Sequence, residues 1–258
     1  MKILVLVKEV PDTYGDRRIV PETGLLDRAA SDRVPDEIGE RAIEAGLTLQ
    51  AAVPDTTVTI VSMGPAEAGE SIRKGLAMGA DDAIHIADEQ LLGADLTLTA
   101  EVLAAVIRRQ TPDLVIAGNL STDGGSGVLP AMLAEHLGWP HATNLATLQV
   151  DGVSVSGERQ SDAGVATVTA ALPAVVSITE AMPEARFPSF KGIMGAKRKP
   201  VMILSCADLK VRVDDVAVSR SIVIAASQRP PRDAGVTIVD EGDGGQRLAA
   251  FLLEQKLV

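Results

Sequence analysis

The stretch that decides the fold is LVIAGNLSTDGGSGVLPAMLAEHL, residues 114–137. Its first four residues form a short apolar run that is typical of a buried parallel strand. Residues 118–127 are rich in Gly, Ser, Thr, Asn and Asp, and residues 128–137 return to an apolar pattern that favours a helix. In an open α/β sheet, a strand, a small-residue loop and a helix in this order form a nucleotide site, because the first N–H groups of the helix point at a phosphate. The other interpretation of this pattern is a tight surface connection without a ligand.

Strands and helices alternate on the N-terminal side of this stretch. Strands are predicted at residues 3–7, 57–62 and 83–86, and helices at 36–52, from Pro65 to Gly79, and at 96–110. A small hairpin is predicted from residues 18–20 and 25–27. This order predicts a parallel sheet with helices on both faces.

The pattern changes after Trp139-Pro140, and residues 142–178 predict short strands and turns without a helix. Asp151-Gly152 is a strong hairpin signal, and residues 162–164 mark a second turn. The predicted fold class is therefore α/β, with an open, mainly parallel sheet extended by antiparallel strands. Residues 201–258 lose the alternation and predict an extended tail that ends in a short amphipathic helix at 247–257. So long a tail is expected to pack across a partner subunit.

Composition and motifs limit the possible functions. A formal net charge of -11 and 2% aromatic residues argue against general nucleic-acid binding. A single cysteine and the lack of a leader or membrane span predict a soluble intracellular chain. Metal-ligand spacing, a nucleophile elbow and a P-loop are all missing from the sequence. We therefore predict a nucleotide binder without its own acid–base machinery, in which a bound cofactor carries any redox chemistry.

Residues 180–200 carry several large apolar residues and are locally basic in an acidic chain. Among these apolar residues are Phe187, Phe190, Ile193 and Met194. Exposed apolar anchors among charges suit a docking loop. The residue pattern alone favours the alternative, a short helix that packs Phe187, Phe190 and Met194 inward.

Four ordered segments resemble the beta subunit of an electron transfer flavoprotein. They are KILVLVKEVPD (2–12), SMGPAEAGESIRKGLAMGAD (62–81), the loop at 118–140 with its final Trp-Pro, and LPAVVSI (172–178) followed by 184–200, which ends in I-M-x-A-K-x-K-P. The resemblance implies an adenine-nucleotide alpha-hydrolase-like fold at residues 1–200, with a tail at 201–258 packed on an alpha subunit. It also implies an electron carrier of fatty acid oxidation, cytoplasmic and without catalytic residues.

The resemblance further implies the positions of two cofactors and a docking anchor. AMP would contact Leu6, Asp36, Glu37, Ile38, Gly39, Met63, Gly118, Asn119, Leu120, Ser121, Thr122, Asp123, Gly124, Gly125, Ser126, Gly127, Val128 and Leu129. FAD, mostly held by the alpha subunit, would meet Thr13 or Tyr14. Phe190 falls where the family places an aliphatic anchor, which favours docking by Phe187, Phe190, Ile193 and Met194. We expect this anchor to lie near the nucleotide site.

The expected partners are an alpha subunit, acyl-CoA or other dehydrogenases, and a quinone reductase-type acceptor. Glycines stand at 124, 125 and 127, where relatives often carry Asp or Asn, so backbone contacts to AMP are more credible than side-chain contacts. One alternative is a bifurcating subunit with a second FAD in place of AMP. Another is a stand-alone ATP-binding module, although an ATP pyrophosphatase would need an S-G-G-x-D-S loop where residues 8–12 stand.

Overall fold

The computed structural model describes residues 1–227, 230–231, 235 and 237–258. These residues divide into two compact units, Met1–Ala226 and Ser227–Val258. The predicted tail at 201–258 includes the six residues that lie outside the described ones.

Strands and helices alternate through much of the described chain. The strands are β1 (Lys2–Leu6), β2 (Glu9–Pro11), β3 (Ile19–Val20), β4 (Leu25–Leu26), β5 (Arg33–Pro35), β6 (Thr57–Met63), β7 (Asp82–Ile86), β8 (Leu114–Gly118), β9 (His141–Leu145), β10 (Gln149–Val150), β11 (Ser154–Ser161), β12 (Gly164–Ala171), β13 (Ala174–Ile178) and β14 (Val201–Leu204). The helices are α1 (Glu37–Ala52), α2 (Gly69–Met78), α3 (Leu96–Gln110), α4 (Leu129–Leu137), α5 (Phe190–Ala196), α6 (Cys206–Leu209) and α7 (Gly244–Glu254).

Within residues 1–226, one large sheet has the order β10-β11-β9-β13-β8-β1-β6-β7-β14, with β12 paired to β11. The seven neighbouring strands β9, β13, β8, β1, β6, β7 and β14 are mutually parallel. Strands β10, β11 and β12 pair antiparallel. The predicted open, mainly parallel α/β sheet is confirmed. The small hairpin of β3 and β4 and the turn at Asp151-Gly152 are confirmed as well.

The prediction that all strands after Trp139 are antiparallel was wrong for β9 and β13. Strand β13 lies between β8 and β9 and is parallel to both. Parallel neighbours need a crossover connection, which is usually a helix. Here the ribbon of β10, β11 and β12 makes that connection, so the lack of a helical pattern misled the prediction.

The core has two layers because helices cover both faces of the sheet. In β1, Ile3 and Val5 face the cluster that includes α1 and α2, whereas Leu4 and Leu6 face the cluster that includes α3 and α4. Successive side chains of a strand point to opposite faces, so a strand buried on both sides is apolar throughout. Burial on both faces of the sheet therefore explains the continuous apolar runs from which the central strands were predicted.

The first compact unit extends beyond the predicted boundary at Pro200. Val201–Leu204 forms β14, the edge strand that pairs parallel with β7. Farther on, the backbone N–H of Ser221 donates to Asp95 Oδ2 at 2.6 Å, and Arg220 pairs with Glu101 on α3 at 2.5 Å. Residues 201–226 therefore belong to the α/β unit, and the packing of the tail on a partner stays a prediction.

The second unit contains α7, which was predicted at residues 247–257 and is observed at Gly244–Glu254. No residue of α7 is buried, and Leu248 and Leu253 are largely exposed. Among the described residues, none of the helices combines the length and apolar character needed to cross a membrane.

Candidate functional site

The glycine-rich loop leaves the sheet at the carboxyl edge of the parallel strands. The backbone N–H of Asn119 donates to the carbonyl of Ile178 at 2.9 Å, which continues the pairing of β8 with β13 by one residue. Leu6 and Met63 end β1 and β6 at the same edge. Open parallel sheets bind their ligands at this edge, and the sequence predicted the nucleotide site here.

The loop is held in shape by its own backbone and needs glycine at two positions. The N–H of Gly125 donates to the carbonyl of Ser121 at 2.9 Å. Gly125 has φ +59° and Gly127 has φ +66°, in the left-handed region that glycine adopts without steric cost.

Asp36 connects the first long helix to the loop. It is 2% exposed and immediately precedes α1, yet its side chain does not cap that helix. Instead, Asp36 Oδ2 accepts the backbone N–H of Thr122 at 2.9 Å. Burial raises the pKa of Asp36, against the opposing effect of the Thr122 hydrogen bond. Asp36 Oδ1 is buried without a hydrogen-bond donor among the described residues.

Three cationic side chains converge on the same loop. Lys8 Nζ lies 2.7 Å from Asp123 Oδ1, and an Arg28 guanidinium nitrogen lies 3.8 Å from Asp123 Oδ2. Arg17 donates to the carbonyl of Thr122. Burial of Asp123 opposes its ionisation, but the hydrogen bond and charge of Lys8 outweigh burial and lower the pKa of Asp123. The loop therefore carries an ionised aspartate that is compensated by positive charge.

A close contact fixes the start of α1 against the end of β8. A Cβ atom on Gly118 would lie 2.6 Å from Ile38 Cγ2, well inside van der Waals contact. Glycine at 118 therefore permits the approach of α1 to the glycine-rich loop.

The structure brings most of the predicted nucleotide-site residues to one edge of the sheet. The contacts of Asp36 with Thr122 and of Ile38 with Gly118 place residues 36–39 beside the loop. Tyr14 lies in the loop after β2 and is 99% exposed. Sequence reasoning missed Lys8, Arg17 and Arg28. Lys8 could have been predicted, because it directly follows the first predicted strand. Arg17 and Arg28 could not, because only the tertiary structure brings them to the loop.

The predicted docking residues lie on and beside α5, with their side chains exposed. The exposed fractions are 95% for Phe187, 80% for Phe190, 48% for Ile193 and 52% for Met194. The short helix expected from the residue pattern is present, but its packing of these side chains inward was wrong.

The expected closeness of this anchor to the nucleotide loop was also wrong. Helix α2 ends at the amino edge of the sheet, just before β7, and Gly192 of α5 lies against the carbonyl of Ala77 at that end. The strand that follows α5 starts with Val201 opposite Ala83, near the beginning of β7. Residues 179–189 carry the chain along α1, with Arg41 donating to the carbonyl of Met182 and Arg186 pairing with Glu44. Helix α5 therefore lies at the edge opposite the loop.

Comparison with known proteins assigns the family. Residues 23–209 match the model of the electron transfer flavoprotein domain. The chain is 46% identical to the electron transfer flavoprotein subunit beta of Mycobacterium leprae, over 99% of both chains. It is 43% identical to the protein of that name from Mycobacterium bovis, over 99% of both chains. Identity to that of Megasphaera elsdenii is 31%, over 99% of this chain and 97% of the relative.

The chain belongs to the electron transfer flavoprotein beta-subunit family.

Membership in the electron transfer flavoprotein family makes this chain part of a flavoprotein that carries electrons. Among residues 1–227 and the other described positions, no cluster of three or more His, Cys, Asp or Glu could hold a metal ion. Cys206 is buried, and burial together with the nearby Asp88 carboxylate raises its pKa to about 11. Its thiol is therefore protonated at neutral pH and is a poor nucleophile.

Proposed function

We propose that this chain binds AMP, completes the FAD site of an alpha/beta heterodimer and docks the dehydrogenases that supply its electrons. The proposal rests on one observation: this electron transfer flavoprotein subunit carries two separate surfaces that suit ligand binding and docking. One is a structured glycine-rich loop at the strand ends, and the other is an exposed apolar cluster on α5.

The loop suits an adenylate because it offers backbone donors, a buried acceptor and nearby cations. A phosphate is favoured by N–H groups at the start of α4 and by the positive charges of Lys8 and Arg28. The free oxygen of Asp36 can accept a hydrogen bond from a nucleoside amine or hydroxyl. These features support AMP at residues 36–39 and 118–129, with Leu6 and Met63 at the ends of neighbouring strands.

A second FAD is the alternative ligand, since its adenylate half would use the same loop. The heterodimer should be purified and its released small molecules identified and counted by mass spectrometry. One FAD and one AMP support the proposal, whereas two FAD molecules establish the bifurcating alternative. Steady ATP hydrolysis by the isolated chain would instead support a stand-alone ATP-binding module.

The flavin contact is proposed at the loop after β2. Thr13 and Tyr14 lie in this loop, and the Tyr14 ring is 99% exposed. An exposed aromatic ring gains stabilisation when a planar partner covers it. We therefore assign Thr13 and Tyr14 to the edge of the FAD that the alpha subunit mostly holds.

The docking surface combines an apolar centre with a basic rim. Phe187, Phe190, Ile193 and Met194 form the centre, and exposed Lys191, Lys197 and Arg198 accompany it. Such a surface suits a dehydrogenase that offers an apolar socket bordered by carboxylates, because apolar anchors supply most of the affinity and charges guide the encounter. A quinone reductase-type acceptor would receive the electrons downstream.

Phe190→Ala is expected to weaken electron uptake while the cofactors remain bound. Loss of a large apolar anchor should raise the apparent KM of an acyl-CoA dehydrogenase for the heterodimer about tenfold or more. The measurement is steady-state flavin reduction, together with the FAD and AMP content. Leu92→Ala, which removes a side chain 78% exposed elsewhere on the chain, is the control. An unchanged KM for Phe190→Ala would reject the docking assignment.

A further inference from the structure

The segment IRKGLAMGAD, residues 72–81, is part of the family resemblance but contributes nothing to the nucleotide site. It covers most of α2 and the turn into β7. Besides its packing against α1 and β6, it contacts α5 and the residues that follow α5.

Arg73 holds the end of the docking helix. One of its guanidinium nitrogens donates to the carbonyl of Ala196 at 2.7 Å and to the carbonyl of Lys199 at 3.0 Å. Ala196 is the last residue of α5, where carbonyls have no partner within the helix. A cation at this end of a helix also interacts favourably with the helix dipole.

Lys199 makes the complementary contact with the end of α2. Its ammonium group donates to the carbonyls of Leu76 at 3.0 Å and Gly79 at 3.1 Å, and also to that of Ala80. An ammonium group has three N–H donors, so these three carbonyls use its full capacity. Arg73 of α2 thus caps the end of α5, and Lys199, which follows α5, caps the end of α2.

Gly192 allows α5 to approach α2 closely. A Cβ atom at this position would lie 2.3 Å from the carbonyl oxygen of Ala77, which is backbone and cannot move aside cheaply. Gly195 lies on the same helix, and a Cβ atom there would have no heavy atom within 4 Å. A methyl group is therefore excluded by the helix interface at Gly192 but has free space at Gly195.

We propose that Arg73 and Lys199 form a reciprocal clamp that, with Gly192, fixes α5 in the orientation in which it receives the electron donor. This inference rests on the proposed docking function. Arg73 and Lys199 are positioning residues, and Lys199 is not a contact cation for the partner because its donors are already used. The remaining cations, Lys191, Lys197 and Arg198, are exposed and form no ion pair within residues 1–227.

A preformed docking element binds more tightly because less conformational freedom is lost on association. Without the clamp, α5 would have to be ordered each time a dehydrogenase binds. The expected signature is a higher apparent KM of the dehydrogenase for the heterodimer, with kcat nearly unchanged.

Arg73→Met and Lys199→Met test the clamp in the purified heterodimer, with an acyl-CoA dehydrogenase and its acyl-CoA substrate as the electron source. Each variant should raise the apparent KM about three- to tenfold, as expected for lost charge-assisted hydrogen bonds. FAD and AMP content should stay the same. Arg73→Lys should restore much of the loss, because one nitrogen of Arg73 makes both contacts.

Arg108→Met is the matched control, since Arg108 donates to the carbonyl of His136 near the end of α4. It removes the same kind of bond from a different helix end. A similar loss of thermal stability in the Arg73 and Arg108 variants, with a raised KM only for Arg73→Met, supports the clamp. An equal KM change in both variants would overturn it.

Gly192→Ala and Gly195→Ala provide a second test that does not alter charge. Gly192→Ala should raise KM, whereas Gly195→Ala should not. If Phe190→Ala raises KM but Gly192→Ala and Arg73→Met do not, docking stands and the clamp is rejected. If Phe190→Ala also has no effect, the docking function itself fails.

Discussion

At the scale of single residues, two buried carboxylates mark the glycine-rich loop at the carboxyl edge of the sheet. Asp36 and Asp123 both lie at the loop, but they differ in their partners. Asp123 pairs with Lys8, which lowers its pKa, whereas burial raises the pKa of Asp36. The charge of Asp123 is therefore compensated by Lys8, whereas Asp36 retains an oxygen that no described residue satisfies.

Asp36→Asn is expected to lower nucleotide affinity without lowering stability. The amide oxygen can still accept the N–H of Thr122, and a buried charge is removed. The amide nitrogen then replaces the free oxygen and offers a donor where the ligand needs an acceptor. AMP affinity, measured by calorimetry on the nucleotide-stripped heterodimer, should fall about tenfold.

Asp36→Ala separates the structural contact from the ligand contact. Without an acceptor for Thr122, this variant should lose about 1–2 kcal/mol in the free energy of unfolding, measured by urea denaturation. Full AMP affinity in the Asn variant would show that Asp36 only orders the loop.

At the scale of helices and strands, the sequence predicted the elements well because each has a local signal. Helix α3 was predicted at residues 96–110, as observed, where Asp95 caps its first turn through the N–H of Leu98 at 2.8 Å. Strand direction after Trp139 has no such local signal, since it depends on which neighbour a strand joins. The insertion of β13 between β8 and β9 could not be derived from its apolar run.

The contact between α1 and β8 gives a prediction at this scale. Gly118→Ala should destabilise the chain by about 1–3 kcal/mol, because the new methyl group would collide with Ile38. Thermal or urea unfolding measures the loss. Gly124→Ala is the control in the same loop, because the nearest atom to its Cβ would be Ser121 Oγ at 3.4 Å.

A smaller residue opposite position 118 should compensate for the added methyl group. The double variant Gly118→Ala with Ile38→Val should recover part of the lost stability. Equal stability of the Gly118 and Gly124 variants would mean that α1 can shift away from β8 without cost.

At the scale of the whole molecule, two surfaces lie at opposite edges of one sheet. The glycine-rich loop follows the carboxyl end of β8, and α5 lies beside the end of α2 at the amino edge. Resemblance to the family supplied the residues of both surfaces but not their separation. Neither periodicity nor motif spacing encodes the path of residues 179–189 along α1, which depends on tertiary contacts such as Arg186 with Glu44.

The C-terminal unit provides a prediction about assembly. A chain that ends at Ala226 should keep the unfolding transition of the α/β unit, because β14 and the contacts of Arg220 and Ser221 are retained. It should bind the alpha subunit more weakly, since the apolar side chains of α7 are left without a burial site in their own unit. Copurification with a tagged alpha subunit, followed by titration, measures the difference. Unchanged affinity would show that the tail does not contact the alpha subunit.

The separation of the two edges has a consequence for changing the electron source. The seven residues of α5 and the two cations that join it to α2, Arg73 and Lys199, form a cassette remote from the glycine-rich loop. Exchanging this cassette between relatives should transfer the preference for an electron-donating dehydrogenase. The recipient should keep the nucleotide and flavin that it already binds.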